Sequence, residues 1–333
     1  MKAAVYRRFG GPEVVRLDDV PRPTPGRDDV LIKVHASTLS TADQRSRSRN
    51  VPRGLAIPAA LTTIGVFRPR RRVLGMDVAG VVEAVGVDVT RFAPGDEVIA
   101  MLGARFGGHA EFAVLPQDGA ITHKPRNLTF EEAVTLVFGG ITARGFLNQV
   151  DLRPGATVLV NGASGAVGTA AVQLAKQAGA HVTAVCRGAN VELVTSLGAD
   201  RVIDYTTDDF TVEATTYDVI IDCVGNAPFE RVQHLVAPGG ALLLVVSDLR
   251  AILRAPWRSR KSGKLVTASV GKYRAEDLAY LVDLAESGQY RAVCERTYDL
   301  SDIADAHRLV DAGHKKGNVV LRIAASASSR ASS

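Results

Sequence analysis

Apolar positions along this chain change their rhythm once. Through the first 115 residues they form short β-branched and aliphatic runs at 2–6, 30–35, 78–85, 97–101 and 109–115. Turn signals separate them, namely Gly10-Gly11-Pro12, the proline-rich stretch from Pro21 to Gly26, and Pro94-Gly95-Asp96. Short strands at regular spacing, with no helical period between them, predict a compact antiparallel domain. Near Leu128 the texture turns. Thr129-Phe-Glu-Glu132 has the form of a capping box, so a helix is expected to open there with Ala133, Leu136 and Val137 on one face. From 157 onward the patterns alternate, with strands at 157–160, 182–186, 201–203, 218–222 and 241–246 and helices at 166–178, 191–197 and 229–235. Near-continuous aliphatic strands between helices predict a parallel sheet buried on both faces. Two further helices are expected at 275–287 and 301–312, then a strand at 319–323 that pairs back with the N-terminal domain. The Ser/Ala-rich stretch 324–333 reads as a disordered tail.

The 333 residues suffice for two domains, each with its own core. With 46% hydrophobic and 23% charged residues, disordered and fibrous classes are out. The longest purely aliphatic stretch, 241–246, falls far short of the roughly 18 residues a membrane span needs. No apolar run follows the basic start, so no secretory signal is expected, and cysteines at 186, 223 and 294 lie too far apart for a disulfide framework or a zinc cluster. A cytoplasmic location is the resulting expectation.

The net charge of +5 hides a sharp asymmetry. Residues 44–76 carry eight arginines and no acid, and 249–264 carry six basic residues and no acid. Without those fourteen, 26 basic residues face 35 acidic ones. The two segments read as solvated loops flanking a cleft, or as attractors of an anion. Only Phe67 and Trp257 interleave them, so a stacking platform for nucleic acid is not expected.

The most informative segment is Val158-Leu-Val-Asn161-Gly162-Ala-Ser164-Gly165-Ala166-Val167-Gly168, which runs into an alanine-rich helix. Glycines at 162, 165 and 168 after a buried strand form a variant of the dinucleotide fingerprint. Gly162 permits a tight turn, Gly165 lets backbone approach a pyrophosphate, and Gly168 lets helix pack on strand. The helix N-terminus then offers N–H groups and a positive dipole end. Eighteen residues after Gly168, where an NAD site places an acid, stands Cys186, followed by Arg187. A guanidinium there suits a 2′-phosphate, which points to NADPH.

With that site placed, the chain over residues 1–323 resembles the medium-chain dehydrogenase/reductase superfamily, in its zinc-free quinone oxidoreductase and enone reductase branch. The resemblance rests on Val73-Leu-Gly-Met-Asp77 through Gly86, on Pro94-Gly-Asp-Glu-Val98, on Gly107-Gly-His-Ala-Glu-Phe112 and on the segment from Asn161 to Lys176. Leu197 to Tyr205, Asp218 to Gly225 and Gly317 to Leu321 add to it. It implies an α/β architecture: a GroES-like, mostly-β catalytic domain over 1–123, completed by 266–323, and a doubly wound Rossmann domain over 124–265. Zinc-dependent relatives need an early cysteine, a Gly-His-Glu segment and a four-cysteine lobe. This chain has Ser37-Thr-Leu-Ser40-Thr-Ala-Asp43 and Gly75-Met76-Asp77 instead, and no such lobe, so no metal is expected.

The resemblance also implies site residues. Ser40 and Asp43 would line the cleft near the nicotinamide as catalytic candidates, and Thr142 would contact the nicotinamide. Ser164, Ala166 and Val167 would meet the pyrophosphate, with Tyr205 beside the adenosine 2′-phosphate. Cys223, Val224 and Gly225 would lie at the nicotinamide ribose, and Asn318 would reach the cofactor from the last strand. Tyr6 and Tyr273 are candidate phenols, with packing the expected job of both. Without a metal, hydride transfer needs an acceptor that is already electrophilic, such as a quinone or an α,β-unsaturated carbonyl. Two other readings remain open at this point: an enoyl-thioester reductase whose basic segments receive a carrier arm, and a non-catalytic NADPH-binding sensor or nucleic-acid binder. A homodimer is expected from the family's habit.

Overall fold

The computed structural model describes residues 1–323. The expected tail at 324–333 lies outside the described residues. The N-terminal part contains strands β1 (Lys2–Tyr6), β2 (Val15–Asp19) and β3 (Asp29–Leu39), then helices α1 (Thr41–Ser48) and α2 (Ala56–Ala59), the latter continued by a π-helical turn at Ala60–Ile64. Strands β4 (Asp77–Val85), β5 (Glu97–Met101), β6 (Phe112–Pro116) and β7 (Ala120–His123) follow, leading to helices α3 (Phe130–Val134) and α4 (Phe138–Leu147). The middle alternates as β8 (Thr157–Asn161), α5 (Ala166–Gln177), β9 (His181–Cys186), α6 (Val191–Ser196), β10 (Arg201–Asp204), β11 (Tyr217–Asp222), α7 (Phe229–Val232), β12 (Val236–Leu244), α8 (Leu249–Ser262) and β13 (Leu265–Thr267). The chain closes through α9 (Ala275–Glu286), β14 (Cys294–Asp299), α10 (Ile303–Asp311) and β15 (Asn318–Arg322).

Two large sheets result. The first runs β14-β15-β3-β4-β5-β7, with β6 also paired to β3, and is antiparallel except where β14 lies parallel to β15. As expected, the last strand returns to the N-terminal sheet, with Val319 opposite Leu39. The second is an all-parallel sheet of order β10-β9-β8-β11-β12-β13. That is the doubly wound order, whose direction reverses between β8 and β11, and ligands bind at such a switch point beyond the carboxyl ends of the strands. Its aliphatic residues Leu159, Val160, Ile220, Ile221, Leu242 and Leu243 are fully buried, because helices cover both faces. The expected domain boundary at 265/266 falls inside β13, which belongs to this parallel sheet.

The basic segment 249–264 is not the solvated loop expected of it, whereas in 44–76 Arg49, Arg53, Arg68, Arg70, Arg71 and Arg72 lie exposed outside the helices, as expected. Asp248 caps α8 by accepting the Ala251 N–H at 2.7 Å, and residues 249–262 form one helix ending at Gly263 (φ +69°). Arg258 on its inner side is buried against Glu230. In the other segment Arg47 is fully buried, binds both carboxylate oxygens of Asp311 at 2.6 Å and donates to the Gly10 carbonyl at 2.7 Å. This pair ties α1 to α10, and truncating one partner of such a buried pair is costly because the other charge is stranded.

Candidate functional site

Strand β8 ends at Asn161 and the chain turns at once into α5. Gly162 has φ +80°, a left-handed conformation that side chains disfavour. A Cβ on Gly168 would lie 2.1 Å from the Gly162 carbonyl oxygen, so the helix packs on the turn only because that residue has no side chain. Gly165 differs: the nearest atom to its Cβ position is 3.6 Å away, leaving open space at the helix start. No side chain among the described residues caps α5, so its first N–H groups are free for an anion. An open cradle under an uncapped helix N-terminus, at the switch point of a doubly wound sheet, fits a dinucleotide pyrophosphate.

Other elements buttress this turn. Asn190, buried, donates to Ser164 Oγ at 3.0 Å, and the Gly317 N–H donates to the Ser164 carbonyl at 2.7 Å. The second contact brings the start of β15 against the loop. Asn318 spends its amide on the Val293 and Thr135 carbonyls, at 3.1 and 3.3 Å, and so bridges to the α3–α4 turn. Lys315, not singled out from the sequence, donates to the Gly317 carbonyl at 2.6 Å, and burial draws its ammonium down to about 8. Only the Lys315-Lys316-Gly317 string hinted at it.

At the adenosine end, Arg187 follows β9, is exposed, and enters no ion pair among the described residues. Asp204 stands opposite Cys186 in the β9–β10 ladder, with Tyr205 beside it half exposed. Hydrogen bonds from Thr206, then from the Gly188 N–H, with Arg187 nearby, hold the Asp204 carboxyl below the usual range. The Cys186 thiol is buried and pushed up to about 11.

At the other end, buried Asp222 organises the loop after β11. Its Oδ1 accepts the Val224 N–H at 3.0 Å, the Gly225 N–H at 2.9 Å and Asn161 Nδ2 at 2.8 Å, while Oδ2 accepts the Ala227 N–H at 3.0 Å. Burial, then the Asp222 charge, raises the Cys223 thiol far above the range of a nucleophile. Helix α4 meets α5 where a Cβ on Gly139 would touch the Ala166 carbonyl at 2.4 Å, which presents Thr142 to the same region. Thr142 Oγ1 is buried and, beside the Tyr273 phenol, makes no hydrogen bond of ordinary geometry among the described residues. The neighbouring Tyr273 phenol is raised by burial.

Ser40 and Asp43 sit in a buried capping box at the start of α1. Asp43 Oδ2 accepts the Ser40 N–H at 2.9 Å and the Ser40 hydroxyl at 2.6 Å, and its Oδ1 accepts the Gly75 N–H at 2.8 Å. Their polar atoms are spent on the scaffold. What they position is the following segment. Arg45, Val51 and Arg53 form one wall of a cleft of about 450 Å³, faced by Gly225, Val246 and Asp248. The walls are joined where the Leu249 N–H donates to the Arg53 carbonyl at 3.1 Å.

Asp77 is fully buried beneath the same region. It accepts the Thr38 N–H at 2.7 Å and the Thr38 hydroxyl at 2.6 Å, yet burial outweighs these bonds and raises its pKa to about 7. A folded-state pKa above the unfolded 3.8 means the native state holds the extra proton between those values, so stability falls as pH rises through that window. Burying this carboxyl costs the native state roughly 4 kcal/mol at and above neutrality. Asp77→Asn is therefore expected to gain about 2 kcal/mol at pH 8, the rest being offset by a turned Thr38 hydroxyl, and the gain should vanish near pH 4. Urea unfolding at both pH values checks this, and a variant less stable than wild type at pH 8 refutes it.

Two family models match the chain: an alcohol dehydrogenase GroES-like domain over residues 26–126 and a zinc-binding dehydrogenase over 197–321. A chloroplastic quinone oxidoreductase from Triphysaria versicolor is 34% identical over 96% of this chain and 98% of its own length. The chain belongs to the medium-chain dehydrogenase/reductase superfamily. Within this superfamily it falls in the quinone oxidoreductase-like branch. The quinone oxidoreductase from Coxiella burnetii superposes with a TM-score of 0.85 at 29% identity, covering 97% of this chain and 99% of that one. The chloroplastic NADPH-dependent alkenal/one oxidoreductase of Arabidopsis thaliana is 31% identical over 96% of this chain and 79% of its own. As a superfamily member the chain is an oxidoreductase that uses a nicotinamide dinucleotide. Among the described residues, no three His, Cys, Asp or Glu side chains come together in a way that could hold a metal ion, and no helix is long and apolar enough to cross a membrane.

Proposed function

We propose that this oxidoreductase transfers a hydride from NADPH to a quinone or an α,β-unsaturated carbonyl compound, without a metal ion. The observation that carries the reading is the adjacency of a pyrophosphate cradle at Gly165 to a cleft that begins at Gly225. The free guanidinium of Arg187 at the far end supports the phosphorylated cofactor. The relatives' names, quinone oxidoreductase and alkenal/one oxidoreductase, support the acceptor class.

The chain's own residues divide the work. Backbone N–H groups of Ala166 and Val167 bind the pyrophosphate, Arg187 and Tyr205 enclose the 2′-phosphate, and the loop fixed by Asp222 receives the nicotinamide ribose. The Thr142 hydroxyl faces the nicotinamide. When bound, the cofactor supplies the hydride. Val51, Pro52 and Val246 give the cleft an apolar side for the acceptor, and Arg45 and Arg53 supply positive charge where the acceptor's carbonyl oxygen becomes an oxyanion. A conjugated alkene gains the hydride at its β-carbon and a proton from water at its α-carbon. Ser40 and Asp43 are positioning residues that hold the Arg45 wall.

Absorbance at 340 nm after mixing protein and NADPH with a panel of quinones and enones tests the reading. Acceptor-dependent oxidation faster with NADPH than with NADH, and unaffected by a chelator, is expected. No acceptor-dependent oxidation across the panel overturns it.

A further inference from the structure

We infer that α8 and the segment from Ile57 to Phe67 form a docking surface for an anionic lipid bilayer beside the mouth of the cleft. Helix α8 buries Ala251, Ala255 and Arg258 against its own domain. On its outer side Leu253 and Trp257 stand four residues apart, 70% and 58% exposed, in line with Leu249, which lies half-buried against Gly54. Alongside this stripe stand Arg250, Arg254, Arg260 and Lys261, none of which forms an ion pair among the described residues. Lys261 instead lies 5.0 Å from the Trp257 ring. An aromatic and aliphatic stripe bordered by unpaired cations is the composition of a helix that lies in a membrane interface, its apolar side below the headgroups.

The segment that follows the Arg53 wall of the cleft repeats the pattern. Ile57 is 73%, Leu61 64% and Phe67 92% exposed, and Arg68, Arg70, Arg71 and Arg72 follow without ion pairs among the described residues. Arg53, four residues before Ile57, accepts from Leu249 at the start of α8, so both segments set out from the same edge of the cleft.

Charge complementarity selects the occupant. Neither basic segment contains an acid. A second copy docked on this face would oppose cations to cations, whereas anionic headgroups neutralise them and the acyl boundary receives the apolar tips. Nucleic acid would satisfy the arginines but would leave Ile57, Leu61 and Leu253 uncovered. Docking here would set the cleft mouth on the bilayer, where apolar acceptors concentrate, although the surface itself does not depend on which acceptor is reduced.

Co-sedimentation of the full chain with vesicles tests the inference, using phosphatidylcholine alone and phosphatidylcholine mixed with phosphatidylglycerol. Binding to the anionic vesicles at least about tenfold stronger than to the neutral ones, and weakened by salt, is expected. The double variant Leu253→Asn, Trp257→Ser is expected to lose about tenfold in vesicle binding. Its circular dichroism, melting temperature and NADPH oxidation with a water-soluble acceptor should match wild type. Equal binding to neutral vesicles, no binding at low salt, or sedimentation velocity showing that the double variant dissociates a dimer overturns the inference. Vesicle binding by a protein inactive on the whole acceptor panel would leave docking standing and remove only the reductase reading.

Discussion

Replacing Gly165 with valine is expected to leave the fold intact and to weaken NADPH binding by about 100-fold or more. The backbone there has φ −81° and ψ 176°, an extended conformation that a β-branched residue adopts without strain. Its Cβ would meet nothing closer than the Gly162 carbonyl oxygen at 3.6 Å, so the Cβ itself displaces no atom. The added methyl groups would instead fill the space beneath the α5 N-terminus and hold a phosphate out of reach of the Ala166 and Val167 N–H groups. Losing two charge-assisted hydrogen bonds, at roughly 1.5 kcal/mol or more each, sets the scale. Gly168→Ala is the contrasting control. Its Cβ would sit 2.1 Å from the Gly162 oxygen and 2.7 Å from the Ala163 Cα, both backbone atoms that cannot swing aside. That variant is expected to unfold at markedly lower temperature, by overpacking. Titration of NADPH by protein fluorescence, beside thermal unfolding of both variants, separates the two roles. If Gly165→Val binds NADPH as tightly as wild type, the pyrophosphate does not lie at this turn.

What could be read before folding was whatever depended on neighbours in sequence. The strand–glycine–helix passage from Val158 to Lys176 is local, because turn, helix start and apolar period all sit within twenty residues. The Thr129–Glu132 capping box formed as expected for the same reason. The return of the last strand to β3 was also legible, since Val319 to Leu321 is too apolar to lie at a surface. Strand β14 escaped because Cys294-Glu-Arg-Thr-Tyr-Asp299 carries little apolar signal. It holds an edge position, where polar side chains cost nothing. Helix α8 escaped because its arginines and Pro256 masked a capped helix whose buried side is only Ala251, Ala255 and Arg258.

The candidate site divides along the same line. Motif spacing located Gly162 and Gly165, but the fate of Asp43 depended on the Gly75 N–H, thirty-two residues away. Arg47 looked like one of eight equivalent surface arginines until α10 brought Asp311 to it across 264 residues. Asn190 and the Gly317 N–H reach Ser164 in the glycine turn only through tertiary packing. Side chains that satisfy buried polar atoms over long range are invisible to any pattern read within one segment.

Exchanging Arg187 for glutamate is expected to invert the cofactor preference, lowering the ratio of kcat/KM for NADPH over NADH by about 100-fold or more. Arg187 is exposed and unpaired among the described residues at the end of β9, so the change costs little stability. Its loss matters electrostatically because Asp204 lies beside it, kept ionised by Thr206 and Gly188. With the guanidinium present, a 2′-phosphate meets a cation that also offsets Asp204. With glutamate in its place, two carboxylates would face the phosphate, while the unphosphorylated ribose of NADH would gain an acceptor for its hydroxyls. The sign is therefore fixed by charge alone, and raised salt should shrink the difference. Initial rates with both cofactors and one good acceptor give the ratio directly. An unchanged ratio would mean that the 2′-phosphate, and with it the adenosine, is bound elsewhere than the β9–β10 edge.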